Sequence, residues 1–188
     1  SILLYDRFDI WKFNPENGEN TKLTNGRNSK TRYRYVELDK EERFLNKNEK
    51  WLFYTFNEIN KNSGYFEFNS KNNKGKQLLS DPYRFSTPIK AKDTKNVIFT
   101  KQSFEVYPDI VSSDLSFKKQ IKISNANPQQ SEYNWGTAEL VHWTSLDGDA
   151  LTGMLIKPEN FDPLKKYPMI VNFYEKSSDG LFNHKAPS

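Results

Sequence analysis

A strand-like run of aromatic and branched residues recurs at nearly constant spacing through the first two thirds of the chain. It appears at Ile2 (ILLYD), at Trp51 (WLFYTF) and at Val97 (VIFT), in steps of 49 and 46 residues. Repeats of this period built from strands are units that bury their faces only against neighbouring units. Each run is followed by a second strand, DIWKFN from Asp9, GYFEFN from Gly64 and PDIVSS from Pro108, then by a polar turn and a third: TKLT, KQLLS and KQIKIS. RYRYVELD (Arg32 to Asp39) and STPIKAK (Ser86 to Lys92) precede the second and third units and bring the count to four strands each. The spacing therefore predicts four-stranded antiparallel meanders, the blades of a β-propeller, with the first unit lacking its opening strand. Asn17-Gly18, Asn25-Gly26, Ser63-Gly64 and Lys74-Gly75 are the expected reversals. About two and a half such units cannot close a ring and would leave apolar faces bare. That, with a start inside a strand-like run and without Met, predicts a segment of a longer protein whose targeting signal lies elsewhere.

Composition supports strands over helices. The 188 residues include 14 Phe, 10 Tyr and 4 Trp against two Met. With no cysteine, a disulfide framework, a thiolate nucleophile and a cysteine-type zinc site are excluded. The net charge is only +4. Its lysines, such as Lys61, Lys71, Lys74 and Lys76, are scattered among asparagines rather than gathered on one face, so no nucleic-acid partner is expected. No apolar run reaches bilayer-spanning length, and no membrane span is expected.

The pattern changes after Asn125. SNANPQQSEYNWG is polar and aperiodic, as an interdomain connection would be. The expected division is 1–125 for the propeller blades, 126–136 for the linker and 137–188 for a second domain. There AELVHWTS, ALTGMLIKP and YPMIVNFY read as three strands, with Asp147-Gly148 as the first hairpin turn. Met169 to Tyr174 is almost continuously apolar, the signature of a strand covered on both faces of an α/β sheet. The expected class is thus mainly β, propeller blades followed by the first strands of an α/β-hydrolase sheet.

From Glu139 to Glu175 the order of residues carries more than its local turns require. A strand, a Ser145-x-Asp147-Gly148 turn, a strand ending at Pro158, a link with Phe161, Pro163, Lys165, Lys166, Tyr167 and Pro168, and an apolar strand ending in Tyr174 stand in sequence. This segment resembles the opening of the peptidase domain in the prolyl oligopeptidase family, in its dipeptidyl-peptidase-like and acylaminoacyl-peptidase-like branches. The opening ILLYDRFDIWKFNPENGENTKLTNG is similar to a propeller blade of the same proteins. The resemblance implies a serine peptidase acting on short peptides, with the propeller gating access and a periplasmic or secreted location. It also implies that Tyr174 stabilises the oxyanion together with a backbone N–H. One departure stands beside it: Glu175-Lys176-Ser177-Ser178 follows where many relatives carry small residues and Pro.

The nucleophile elbow of such a hydrolase, G-x-S-x-G, is absent, since no two of the eight glycines flank a serine at that spacing. No nucleophile or triad is therefore expected within these residues, and no cofactor. His142 beside Trp143 reads as a partly buried structural residue, His184 as a loop residue, and Glu41-Glu42 as part of a solvated loop. Asp6, Asp9, Asp109 and Asp114 have suggestive spacings but no ordered set of oxygen ligands, so no metal is expected. The expected partners are a peptide substrate and, for the full-length protein, a second copy of itself. The competing function is a β-propeller that binds without hydrolysis. Glu139 to Tyr174 discriminates, because a pure propeller has no reason to contain it.

Overall fold

The computed structural model describes residues 1–46 and 48–186, and it is mainly β, built from several antiparallel sheets of which none is closed. The first sheet joins β1 (Ile2–Tyr5), β2 (Ile10–Phe13) and β3 (Asn20–Lys22). After a helical turn at Gly26–Ser29, the second takes β4 (Thr31–Tyr35), β5 (Lys50–Asn57), β6 (Ser63–Asn69) and β7 (Lys74–Asp81), in chain order. The third runs β12-β11-β10-β8, from β8 (Arg84–Phe85), β10 (Asn96–Gln102), β11 (Asp109–Asp114) and β12 (Ile121–Lys122), with β9 (Ile89–Lys90) also on β10. Its opening strand is split because Pro88 lacks an N–H for the ladder. A two-stranded hairpin of β13 (Thr137–Thr144) and β14 (Ala150–Lys157) follows.

The second sheet is covered on both faces, which explains why its central strands, β5 and β6, are rich in aromatic residues. In β5, Trp51 and Phe53 point one way and Leu52 and Tyr54 the other. Trp51 and Phe53 join Tyr33, Phe68, Ile10 of the first sheet and Leu23 just after it in one core. Leu52 and Tyr65 join Phe85, Val97, Phe99 and Val111 of the third sheet in another. Register aligns the rings: Trp51 lies opposite Phe68, Phe53 opposite Phe66 and Tyr54 opposite Tyr65. Tyr65 is fully buried, stacks on Phe117 at 4.2 Å between centroids, and donates its hydroxyl to Ser86 O at 2.6 Å.

Two of the expected reversals hold, at Gly18 and Gly148, both with positive φ. Three do not. Asn25-Gly26 opens the helical turn, and Ser63-Gly64 and Lys74-Gly75 lie inside β6 and β7. Gly64 is required by close approach, since a Cβ there would lie 1.8 Å from Leu79 O. The actual turns are made by asparagines: Asn57 Oδ1 accepts the Ile59 and Asn60 N–H groups, and Asn69 Oδ1 accepts that of Lys71.

The expected strand Met169–Tyr174 does not form. Residues 168–174 are irregular, with Ile170 at 96% and Phe173 at 88% exposure. Its reading rested on burial between layers, and among the described residues no strand pairs with it and no helices cover it.

An aspartate tether repeats in the first and third sheets. Asp9, just before β2, accepts the Thr24 hydroxyl at 2.8 Å and the Gly26 N–H, and pairs with Lys22 at 2.9 Å. Asp109, opening β11, accepts the Ser124 hydroxyl at 2.6 Å and the Ala126 N–H at 2.8 Å, and pairs with Lys122. The hydroxyl and amide partners stand 15 and 17 residues on in both cases. The two hydroxyls in turn accept the N–H groups of Ile10 and Ile110. In the second sheet Ser63 does the same work, accepting the Phe85 N–H at 3.1 Å and donating to Tyr83 O at 2.7 Å. Each tether locks the start of a third-position strand to the chain leaving its sheet.

Burial pushes the Asp109 carboxyl up, but the Ala126 N–H, the Lys122 ammonium and the Ser124 hydroxyl outweigh it and hold it at about 2. Folding thus favours the ionised form. Its stabilisation is fully present above the ordinary value of 3.8 and is lost as pH falls through about 2. Thermal unfolding across that window should show Tm falling with acid, and Asp109→Asn should start lower and fall less steeply. Parallel Tm profiles for the two proteins would contradict the tether.

Candidate functional site

Charged and polar side chains gather where the second and third sheets meet the C-terminal segment. A short 3-10 turn, Ser177–Gly180, docks there with Ser178 and Leu181 buried. Asp179 ties it down, accepting from Lys61 Nζ at 2.9 Å and from Arg32 Nη2 at 3.0 Å. Glu58 completes the network, pairing with Arg7 at 2.7 Å and Arg32 at 3.3 Å. The Lys61 side chain is only 7% exposed, so its ammonium depends on Asp179 and on Glu58 O at 2.7 Å.

Farther along, His184 stacks on Trp135 and meets Tyr107 edge-on, each at 5.0 Å between centroids. Its ring Nε2 lies 3.1 Å from Gln130 Oε1, and its backbone N–H donates to Gln102 Oε1 at 3.0 Å. Burial lowers its pKa, so the neutral ring is favoured. Residues of the expected linker are anchored nearby, with Trp135 Nε1 donating to Phe104 O and Gln130 Nε2 to Glu105 O.

Beside this segment a polar cleft of about 290 Å³ opens, lined by Tyr54 of β5, by Arg84 and Ser86, and by Thr100 and Gln102 of β10. Gln102 is shared between the cleft and the docked segment. Phe56 links the two in another way, since the guanidinium groups of Arg32 and Arg84 lie 4.7 Å and 5.9 Å from its ring centroid.

Tyr174, the one residue to which the sequence assigned a catalytic role, lies three residues before the docked turn. It is 86% exposed, and its backbone carbonyl accepts the Ser177 hydroxyl at 3.2 Å. The partly buried role expected for His142 is corrected: it is exposed on β13, its Nδ1 3.1 Å from Thr152 Oγ1, because the hairpin leaves that face uncovered. Glu41 is solvent-facing, its side chain 81% exposed. Asp9 and Asp109 each hold a backbone N–H, a hydroxyl and a lysine ammonium, and among the described residues no cluster of three or more His, Cys, Asp or Glu could hold a metal. Also among the described residues, no helix is long and apolar enough to cross a membrane.

Sequence reading missed the Arg32–Lys61–Asp179 network and the cleft. Their members lie far apart in the sequence and share no local motif. The tether did have a signal, the matching spacing from Asp9 and Asp109 to a lysine, a hydroxyl and a small residue.

No family model matches the chain, and no curated protein matches it. Among solved structures it is similar to the AtxE2 isopeptidase, in a serine-to-alanine variant with astexin3-dC4 bound. The TM-score is 0.58 at 13% sequence identity, covering 81% of this chain and 22% of that one. The apo form of that isopeptidase overlaps with a TM-score of 0.46 at 10% identity, over 85% of this chain and 31% of that chain. This chain therefore spans about a fifth of the bound isopeptidase's length, and what the two share is the fold.

Proposed function

We propose that residues 1–125 are the last blades of a β-propeller and residues 137–188 the first part of an α/β-hydrolase domain, in a serine peptidase of the prolyl oligopeptidase family. The observation that carries this reading is the succession of elements: stacked antiparallel meanders, then the hairpin with its Ser145-x-Asp147-Gly148 turn. The likeness in fold to an isopeptidase over 81% of the chain supports it.

In this reading a short peptide passes the propeller and meets a serine that residues 1–188 do not supply. The serine oxygen adds to the scissile carbonyl carbon, the amine leaves with a proton, and water then releases the acyl group. Tyr174 contributes the hydroxyl that, with a backbone N–H, holds the oxyanion in both steps. A propeller that binds a ligand without hydrolysis is the competing reading. The cleft, built from residues 54–102, is the observation on its side.

Turnover separates the two. Full-length protein should hydrolyse aminoacyl-prolyl or aminoacyl-alanyl reporter peptides, with loss of activity on fluorophosphonate treatment, whereas the 188-residue chain alone should give none above background. Peptide binding by full-length protein without any turnover would favour the binding module.

A further inference from the structure

The cleft beside the docked segment holds groups that the fold leaves unused. The Tyr54 hydroxyl is buried and has no hydrogen-bond partner. A buried polar group in that condition costs stability, so its retention points to a ligand that completes it. The Arg84 side chain makes no ion pair or hydrogen bond with the described residues, and its guanidinium lies 5.9 Å from the Phe56 ring centroid. Two carboxylates of the neighbouring network are already shared, since Glu58 serves Arg7 and Arg32, and Asp179 serves Arg32 and Lys61. The Arg84 guanidinium is thus left without a carboxylate partner among the described residues. Gln102 has its Oε1 occupied by the His184 N–H, which leaves its amide N–H groups as donors.

Three donors of this kind around one cleft, one of them a guanidinium, match an anionic, planar, two-oxygen group. The volume of about 290 Å³ sits at the small end of ligand pockets and suits one residue with its carboxylate. We propose that the cleft is a carboxylate-binding subsite for a peptide, with Arg84 engaging the carboxylate and Tyr54 and Gln102 adding neutral donors. That the ligand is a peptide rests on the peptidase reading. The carboxylate can be the peptide's C-terminus or an acidic side chain, and the chemistry of capture is the same.

The test uses full-length protein and a fluorescein-labelled Ala-Pro-Ala-Ala peptide in three forms: free C-terminal acid, C-terminal amide, and amide with one internal Glu. Binding is followed by fluorescence anisotropy, and every sample is checked by chromatography for cleavage. At least one carboxylate-bearing form should bind roughly tenfold tighter than the neutral amide, and which one does identifies the source. Arg84→Gln should abolish that advantage. Tyr54→Phe should reduce it by roughly threefold without lowering Tm, because the hydroxyl has no partner to lose in the free protein. This second variant keeps the test decisive if Arg84→Gln does not fold. Equal binding of all three forms, no binding of any, or an advantage that survives the substitutions overturns the subsite. Carboxylate-dependent binding without cleavage leaves the subsite standing and counts against the peptidase. Cleavage without carboxylate preference does the reverse.

Discussion

Replacing Asp9 with alanine should lower the unfolding free energy by about 3–5 kcal/mol, the largest single-residue loss expected in the tethers. The carboxylate is 0% exposed and receives a hydroxyl, backbone N–H groups and the Lys22 ammonium at once. Burial pushes its pKa up, but the Gly26 N–H, Lys22 and Thr24 outweigh burial and lower it, so the ionised form belongs to the fold. Alanine removes the acceptor and leaves Lys22 and the Gly26 N–H without it. Asp109→Ala should cost less, because its lysine partner is 54% exposed and solvent replaces the pair more readily. Urea unfolding followed by tryptophan fluorescence measures both. A loss below about 1 kcal/mol for Asp9→Ala would mean that the connection after β3 holds itself.

The second large effect concerns Tyr174 in the full-length protein. Tyr174→Phe keeps the ring and removes the hydroxyl, so kcat should fall by roughly 10² to 10³, about 3–4 kcal/mol of transition-state stabilisation, with KM little changed. In the present structure the side chain is 86% exposed, so the substitution should leave Tm where it was. A kcat within a few fold of wild type in a well-folded variant would remove the catalytic role assigned to Tyr174.

The second and third sheets were legible in the sequence because their strands obey local rules. Runs such as WLFYTF and VIFT carry their burial in composition and need only a neighbouring sheet to satisfy it. Turns were less legible, because Asn-Gly and Ser-Gly signal reversal only when nothing else demands glycine. At Gly64 the demand is the approach of Leu79 O, which comes from the pairing of β6 with β7. Met169 to Tyr174 failed for the converse reason. Its apolar run specifies burial, yet among the described residues no strand pairs with it and no helices cover it. The docked segment lay beyond sequence reading altogether, since Asp179 meets Lys61 and Arg32 across 118 and 147 residues. Tyr54, Arg84 and Gln102 likewise become a cleft only after two sheets have stacked.

The central claim, that this chain is part of a serine peptidase, is tested most directly by mapping where a fluorophosphonate attaches to active full-length protein. Intact mass and peptide mapping should show one adduct per polypeptide, on a serine outside residues 1–188, with loss of turnover in proportion to labelling. Full peptidase activity without any adduct, or an adduct on a serine within residues 1–188, would contradict the account.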